Sequence, residues 1–436
     1  MKLVSHLLLL FFFIINIQAR GNDHVFYAKK YGLIADGKTD NYKAFVKLVN
    51  DVNQKRGGKI VFEKGIYVIN QFKHNNNHVV DLLYKNCNNL TIDGNYATIK
   101  LNNTFTKAKD KSKNKYFYSN TGSLIPFSFQ NVKSLKIHNL TVDGGSNNAK
   151  KESGISEQAE HLFSFSNCID VTVSNVVAKN ALCDGFYIKE NNRNFTFTNV
   201  KSLNNARQGL SIIGLWDGTF DNCEFSDTGR SNYGFHSPAA GLDIEPNIQN
   251  GVKNIRFSNC KFYNNKNAQI VITRPLFTDN ILIENSVIDA GKSNYTYQLI
   301  LSGKNITLIG NTITLNSGSI YPFWDNFENS SVHIKNNIIN STGRGVVVSG
   351  TKSIHVLIEG NYFKFNGTTM SSYFPYIQYP VIFKSNTIEV PEKFLNKKYI
   401  SLIQNAKESS NNKFITDKGH SFKSKVSYSK TIKIND

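Results

Sequence analysis

Two acidic residues share one side of a short predicted strand. Residues 242 to 245 read Leu-Asp-Ile-Glu, an alternation of apolar and acidic side chains. Successive side chains of a β-strand point to opposite faces, so Asp243 and Glu245 would stand together on one face. Two neighbouring carboxyl groups raise the pKa of one of them, which suits a general acid. The pattern predicts proton-transfer chemistry at Asp243 and Glu245, and an exposed acid pair that bonds turn amides or a lysine is the structural alternative.

The spacing of this pair is compatible with the hydrolysis of a glycosidic bond. Two strand residues separate Asp243 from Glu245, which is about 6.6 Å along an extended backbone. Inverting glycosidases hold their acid and base about 6.5 to 9.5 Å apart, and retaining enzymes hold their two carboxyl groups about 5 to 5.5 Å apart. Backbone separation does not fix the distance between the carboxyl groups. The spacing therefore permits a hydrolase and leaves its stereochemistry open.

Other polar residues fall beside the acid pair when the chain is written as successive coils. Coils that begin at Gly185, Gly209, Gly241 and Gln269 align with one another. They place Tyr187, Ser211, Asp243 and Val271 in one outward ladder, and Lys189, Ile213, Glu245 and Thr273 in the next. Neighbouring coils lie about 4.8 Å apart. The alignment predicts a patch about the size of a sugar ring that combines two acids with a tyrosine, a serine and a lysine.

The ends of these coils supply further candidates for substrate contact. Arg207 and Gln208 precede Gly209, and Asp184 precedes Gly185. An arginine at such a corner can bind a carboxylate or sulfate through two hydrogen bonds, or it can pair with an acid of the protein. The predicted substrate-binding residues are Arg207, Gln208, Lys189, Tyr187, Asp184 and Arg274.

An insertion over residues 226 to 240 lengthens the coil before the acid pair. It contains His236, which could overhang the pair as a third catalytic residue or could be a solvated loop histidine. No zinc-binding spacing is present, and no metal ligand is predicted. The chemistry requires no cofactor, but Ca²⁺ is possible because it prefers oxygen ligands such as Asp243, Glu245 or Asp184.

The rest of the chain reads as repeated short strands. Units such as GFYIKENNRNFTFTNVKSLNNARQ and GLSIIGLWDGTFDNCEFSDTGR recur with a period of about 22 to 32 residues. Short strands at such a period are typical of a solenoid. Four of the five cysteines follow an asparagine, in KNC, SNC, DNC and SNC, which indicates a repeated buried position in stacked coils.

The N-terminal part differs from these repeats. Met1 and Lys2 precede an apolar run from Leu7 to Ile17, which is typical of a secretory signal peptide and too short to span a membrane. After Thr39-Asp40, apolar residues recur at helical spacing, at Phe45, Leu48, Val49 and Val52. The predicted divisions are a signal peptide (1–20), an N-terminal cap with the first coils (21–80), the repeats (81–390) and a C-terminal cap or tail (391–436).

Two stretches carry a resemblance to a known family. YGLIADGKTDNYKAF followed by GGKIVFEKGIYVI resembles the N-terminal segment of the pectate-lyase-like superfamily. The coils with CDGFYI, ARQGLSI and AGLDIEPN are similar to the right-handed β-helix repeats of secreted carbohydrate-active proteins. The resemblance covers roughly residues 25 to 390. It implies an all-β, single-domain, right-handed parallel β-helix with an N-terminal capping helix, and polysaccharides that lie along one strand face. The superfamily includes lyases, hydrolases, epimerases and binding proteins.

Charge and export together suggest the class of partner. The chain has 51 Lys+Arg against 32 Asp+Glu, a formal charge of +19, so it should attract polyanions in a salt-dependent manner. We expect a secreted or periplasmic enzyme that cleaves an anionic (uronic-acid or sulfated) polysaccharide, with a glycoside hydrolase favoured. A polysaccharide lyase or C5-epimerase with Lys189, Tyr187 or His236 as base is one alternative, and a non-catalytic glycan-binding protein or adhesin is another. Neither a nucleic-acid partner nor a membrane anchor is expected, and the sequence leaves the oligomeric state open.

Overall fold

The computed structural model of the chain describes most of the expected coils. The described residues are 24–70, 79–102, 106–110, 115–119, 123–148, 160–231, 237–247, 251–322, 330–348, 355–370, 373–377, 381–395, 401–403, 406–421 and 426–428. The predicted signal peptide (1–20) and His236 lie outside these residues. Their predicted roles therefore stay predictions.

The described strands stack in parallel on three faces of a β-helix. Face 1 is a thirteen-stranded sheet of β5 (Val79–Lys85), β9 (Ser123–Gln130), β11 (Phe163–Ser166), β13 (Phe186–Ile188), β16 (Gln208–Ile212), β19 (Ala240–Ile244), β22 (Ile270–Ile272), β25 (Tyr297–Leu301), β28 (Ser319–Tyr321), β31 (Gly345–Val348), β34 (Tyr376–Ile377), β37 (Ser401–Ile403) and β40 (Val426–Tyr428).

The other two faces belong to one continuous sheet, because three long strands bend from one face to the other. These are β6 (Asn88–Leu101), β10 (Lys133–Asp143) and β12 (Ile169–Lys179). Face 2 also contains β1 (Val25–Tyr27), β3 (Gly58–Val61), β14 (Asn192–Thr198), β17 (Leu215–Asp221), β20 (Val252–Ser258), β23 (Thr278–Glu284), β26 (Lys304–Ile309), β29 (Ser331–Lys335), β32 (His355–Glu359), β35 (Val381–Lys384) and β38 (Glu408–Ser410).

Face 3 completes each coil and leads back to face 1. It contains β2 (Asp36–Asp40), β4 (Ile66–Ile69), β15 (Lys201–Leu203), β18 (Glu224–Ser226), β21 (Lys261–Tyr263), β24 (Val287–Asp289), β27 (Thr312–Leu315), β30 (Ile338–Ser341), β33 (Tyr362–Phe365), β36 (Thr387–Val390) and β39 (Lys413–Thr416). A separate antiparallel hairpin is formed by β7 (Thr106–Asp110) and β8 (Lys115–Ser119). Short 3₁₀ helices cover Ala28–Tyr31, Ser146–Asn148 and Glu392–Phe394.

The predicted N-terminal helix is confirmed. It is α1 (Tyr42–Gln54), and its buried residues are the predicted Phe45, Leu48, Val49 and Val52. The Asn53 side chain ties α1 to β5: its amide donates to the Leu83 carbonyl at 2.8 Å and its oxygen accepts from the Lys85 amide at 2.8 Å. The helix thus packs on the first coils and covers the apolar interior there.

Side chains inside the coils form columns of like residues. On face 1, Phe127, Phe163 and Phe186 stack with ring centroids 5.2 and 4.9 Å apart. All five cysteines are described, and each is buried with a free thiol, which confirms the repeated buried position expected from the sequence. This interior fixes the inward side chains of each coil, so the alternate residues of face 1 must point outward.

Asparagines at the corners explain their abundance in the sequence. Many adopt positive φ, which Asn tolerates better than most residues. Neighbouring corners are joined by side-chain hydrogen bonds, as in the row formed by Asn139, Asn175, Asn199 and Asn222. These rows hold the coils in register, so equivalent strands of successive coils stay aligned on the same face.

Regular coils extend past residue 390, where the sequence suggested that a cap or tail begins. β38 pairs in parallel with β35, and β39 pairs with β36. Among the residues that the structure describes, no helix has the length and apolar character needed to cross a membrane.

Candidate functional site

The outward ladder predicted around Asp243 is present on face 1. Tyr187 pairs with Ser211, Ser211 with Asp243, and Asp243 with Val271. The residues on either side of Asp243, Leu242 and Ile244, are fully buried in the interior. The alternation therefore places the Asp243 side chain on the outer side of the sheet.

Asp243 is nevertheless shielded from water, with a relative exposure of 4%. Burial raises the pKa of its carboxyl to about 8, with a further increase from the nearby Glu245 and a partial decrease from Arg207. The Gln208 side-chain amide donates to Asp243 Oδ2 at 2.6 Å, and Gln208 Oε1 accepts from the Ala240 amide at 3.2 Å. Asp243 is thus held in one orientation and protonated at neutral pH, the state that a general acid requires.

Glu245 presents the opposite environment. Its side chain is 49% exposed and lies 3.3 Å from Arg274 Nη2, so it is an accessible carboxylate beside a cation. Arg274 has φ of +61°, an uncommon conformation for a residue that precedes a proline. Strained backbone conformations of this kind cluster at functional sites of proteins. The two predicted acids thus differ in burial, exposure and partner.

Arg207 and Asp184 form a buried ion pair. Arg207 Nε lies 2.7 Å from Asp184 Oδ1, and Arg207 Nη2 lies 2.5 Å from Asp184 Oδ2. Asp184 is fully buried, and Arg207 keeps 16% of its side chain exposed. Asp184 therefore acts through Arg207, whose positive charge favours ionisation of Asp243. The structure brings Arg207 to the acid pair and places the fully buried Asp184 behind it.

His161 joins this group and was not predicted from the sequence. Its Nδ1 lies 3.1 Å from Asp184 Oδ2, and its ring stacks on Tyr187 with centroids 4.2 Å apart. The signal was present in the repeats, because EHLFSF aligns with CDGFYI and places His161 at the level of Asp184.

Tyr187 and Lys189 line the N-terminal side of the acid pair. Lys189 Nζ lies 5.7 Å from the centre of the Tyr187 ring, and Arg207 Cζ lies 5.9 Å from the same ring. Burial and neighbouring acids raise the pKa of Tyr187 to about 12. The phenol is therefore protonated at neutral pH, and it can donate a hydrogen bond to substrate but is a poor base.

The glycines that begin these coils allow the close approach that the site needs. A Cβ added to Gly209 would lie 2.6 Å from the Gly241 carbonyl oxygen, and a Cβ added to Gly185 would lie 2.0 Å from Ser202 Oγ. Any side chain there would push neighbouring coils apart. Gly209 thereby fixes the position of Gln208 and Arg207 relative to Asp243.

The cluster of His161, Cys183 and Asp184 could hold a metal ion, but its ligand atoms do not suit calcium. His161, Cys183 and Asp184 place one ligand atom each within 4.8 Å of one another. This set offers one carboxylate with a thiol and an imidazole, whereas Ca²⁺ requires six to eight oxygens. Asp184 already binds Arg207 through both oxygens, and Glu245 lies beside Arg274. Guanidinium groups thus contact Asp184 and Glu245, and Ca²⁺ binding at Asp243, Glu245 or Asp184 stays a prediction.

The arrangement of parallel coils agrees with a comparison against protein-family models. The model described as "Right handed beta helix region" matches residues 171–414, more than half of the chain. This chain belongs to the right-handed β-helix family. The match confirms the superfamily that the sequence resembles and the handedness of the helix expected from it.

Solved structures with the same fold have very different sequences. A tailspike protein of E. coli bacteriophage HK620, a double mutant, is 13% identical with a TM-score of 0.57, and the match covers 94% of this chain and 80% of that one. PfbA, a surface adhesin of Streptococcus pneumoniae, is 16% identical with a TM-score of 0.55, over 94% and 91% of the two chains. The A-module of the Azotobacter vinelandii mannuronan C-5 epimerase AlgE6 is 14% identical with a TM-score of 0.51, over 94% and 99%. A comparison with curated proteins finds no match. At these identities the likeness shows the fold alone.

Proposed function

We propose that this right-handed β-helix protein is a secreted enzyme that cleaves an anionic polysaccharide on face 1, as a glycoside hydrolase. The observation that carries the proposal is the contrast within one strand end: Asp243 is buried with a pKa raised to about 8, while Glu245 is exposed beside Arg274. Two carboxyl groups in unlike environments are the usual way in which a glycosidase separates an acid from a base or nucleophile.

In the proposed reaction, protonated Asp243 donates its proton to the glycosidic oxygen as the bond to the leaving sugar breaks. Glu245 either activates the attacking water or attacks the anomeric carbon itself. Gln208 keeps the Asp243 carboxyl oriented through its 2.6 Å hydrogen bond. Lys189, Arg207 and Arg274 supply positive charge for uronate or sulfate groups next to the scissile bond.

An eliminating enzyme fits the described residues less well. A lyase or C5-epimerase must remove the proton beside a uronate carboxylate, which requires a base. The pKa of Tyr187 is raised to about 12, so this phenol favours donating a proton over accepting one. Lys189 and His236 remain the bases for this alternative, and the epimerase module with a similar fold keeps it open to test.

A glycan-binding protein without catalysis is the second alternative. PfbA, described as a surface adhesin, has the same fold. A binding protein gains nothing from the protonated Asp243, because burying an acid without a charged partner costs stability. The buried acid therefore favours the enzyme.

The test is a panel of alginate, pectate, carrageenans and ulvan incubated with the mature protein. New reducing ends without absorbance near 235 nm are the result expected of a hydrolase. Asp243→Asn and Glu245→Gln should each lower kcat at least about a hundredfold, since each removes a group that transfers a proton or forms a bond.

Glu284→Gln is the matched control for Glu245→Gln. Glu284 lies on face 2, and its Oε1 pairs with Arg256 as Glu245 pairs with Arg274. The control should retain activity within about twofold, as expected of a surface ion pair. Absorbance that rises with the reducing ends would replace the hydrolase with a lyase, and binding without any product would favour the adhesin-like alternative.

A further inference from the structure

The outward column of face 1 changes character at Asp243. On the N-terminal side its nearest members are the polar Ser211 and Tyr187. On the C-terminal side, Asp243 is followed by Val271, Ile300, Tyr321, Val347 and Tyr376. Outward positions of a solvated sheet are usually polar, so the two partly exposed tyrosines of this column, Tyr321 and Tyr376, are unusual.

Tyr321 and Tyr376 belong to this continuation, and each contacts a further tyrosine beside the column. The Tyr297 and Tyr321 rings stack with centroids 4.4 Å apart and an angle of 24°. Farther along, the Tyr373 and Tyr376 rings lie 6.2 Å apart at 25°, and the exposed Arg344 places Cζ 4.6 Å from the centre of the Tyr376 ring. All four tyrosines are partly exposed. We call Tyr297, Tyr321, Tyr373 and Tyr376 the tyrosine strip.

One end of the tyrosine strip packs against apolar side chains on the outer side of face 1. Tyr297 packs against a small apolar cluster formed by Ala240, Ala268, Val271 and Ile300. Val271 and Ile300 are only 7% and 4% exposed. The first two outward positions after Asp243 are thus filled by protein, and Tyr321 is the first aromatic position of the column itself.

The distances suit a long polymer. Tyr321 lies three coils from Asp243 and Tyr376 lies five coils away, which corresponds to about 14 and 24 Å at the spacing of parallel strands. One coil is close to the advance of one sugar in an extended polysaccharide. A chain cleaved at Asp243 would therefore reach Tyr376 only if several more sugars followed the scissile bond.

We infer that the tyrosine strip is a distal binding site for the same polysaccharide, and that it makes the protein selective for long chains. The inference rests on the proposed function. The four side chains are partly exposed and aromatic, so they can contact the apolar side of a pyranose, and Arg344 can bind a carboxylate or sulfate of the same polymer. Binding so far from the scissile bond contributes equally to ground and transition states, so it lowers KM and leaves kcat unchanged.

The variants Tyr321→Ala and Tyr376→Ala test the inference on the polymer that the panel identifies. Each should raise KM for that polymer three- to tenfold, the range expected for the loss of one stacking contact, with kcat within twofold. Tyr376→Ala should not alter KM for a tetrasaccharide of the same polymer, because four sugars cannot span the five coils from Asp243 to Tyr376. Tyr376→Phe keeps the ring and should behave as the unmodified protein.

Tyr263→Ala is the matched control, because Tyr263 lies on face 3 with Lys261 Nζ 4.6 Å from its ring centre. It should leave KM unchanged on both substrates. Equal KM values for Tyr376→Ala and the unmodified protein on the polymer, with both folded by their melting curves, would overturn the inference.

The two proposals fail in distinguishable ways. In the Glu245→Gln background, calorimetric affinity for each panel polymer measures the strip without catalysis. A protein that cleaves nothing but loses polymer affinity with Tyr321→Ala and Tyr376→Ala would refute the hydrolase and support the strip. Cleavage with polymer affinity unaffected by these substitutions would refute polymer binding by the tyrosine strip and leave the hydrolase standing. The absence of affinity for every panel polymer would also refute polymer binding by the tyrosine strip.

Discussion

The outward acids of faces 1 and 2 differ in their exposure and in their partners. On face 2, Asp221 Oδ1 accepts hydrogen bonds from Asn259 at 2.8 Å and Ser258 at 3.2 Å, and Glu284 pairs with Arg256. Both acids remain partly exposed and are bound by side chains of a neighbouring coil. On face 1, Asp243 is buried, and the neutral Gln208 side chain donates a hydrogen bond to it.

This difference separates structural acids from a chemical one. The acids of face 2 serve as rungs of the ladders that hold the coils in register. Asp243 has an environment that penalises its charge, which stability alone does not favour. Groups with strongly shifted pKa values in such settings are concentrated at functional sites.

The largest expected effect concerns the buried ion pair behind the site. Asp184→Asn removes the carboxylate that binds Nε and Nη2 of the largely buried Arg207, so it should lower the free energy of unfolding by about 3 to 5 kcal/mol. Asp221→Asn, on face 2, should lower it by less than about 1 kcal/mol, because asparagine can still accept the ladder hydrogen bonds. Urea unfolding of both variants measures the contrast, and equal losses would mean that the Asp184–Arg207 pair is no more than another ladder contact.

The pH dependence of kcat/KM should report the raised pKa of Asp243. Because burial raises the pKa of Asp243 to about 8, the acid is protonated below that pH and lost above it. kcat/KM should therefore be supported up to about pH 8 and fall about tenfold per pH unit beyond it. Initial rates between pH 6 and 10 give this limb, with intact folding checked by circular dichroism at each pH. A decline that begins near pH 5 would rule out Asp243 as the acid.

Backbone strain should give a smaller effect of opposite sign on the two faces. Arg274 has φ of +61°, so Arg274→Gly removes an unfavourable conformation and should change stability by less than about 1 kcal/mol, toward greater stability. Arg256→Gly, in a regular strand of face 2, should destabilise by about 1 kcal/mol. Thermal unfolding of the two variants compares them, and destabilisation of similar size in both would show that the Arg274 backbone stores no strain.

Much of the fold was accessible from the sequence because a solenoid repeats its local rules. The alternation of Leu242, Asp243, Ile244 and Glu245 determined their faces, and aligned coils placed Tyr187 and Ser211 beside Asp243. The helix followed from the spacing of its four buried residues. These are short-range patterns that neighbouring coils reinforce.

The electrostatic part of the site was not accessible in this way. Asp243 was expected as an outward acid, but its burial depends on side chains from several coils. Arg207 was expected to meet substrate, and the structure shows both Asp184 oxygens bound to it. The alignment of EHLFSF with CDGFYI gives the level of His161 beside Asp184, but its stacking on Tyr187 depends on packing between coils. Which acid keeps its proton is decided by packing.

The most direct test of Asp243 as a protonated general acid compares two free energies of unfolding between pH 4.5 and 8.5. One is that of the unmodified protein and the other is that of Asp243→Asn. In the unfolded chain Asp243 loses its proton near pH 4, and in the folded protein it keeps the proton to about pH 8. The unmodified protein should therefore lose stability relative to Asp243→Asn steadily across this interval, because each unit of raised pKa corresponds to about 1.4 kcal/mol. A difference between the two proteins that stays constant from pH 5 to 8.5 would mean that Asp243 ionises normally and is no general acid.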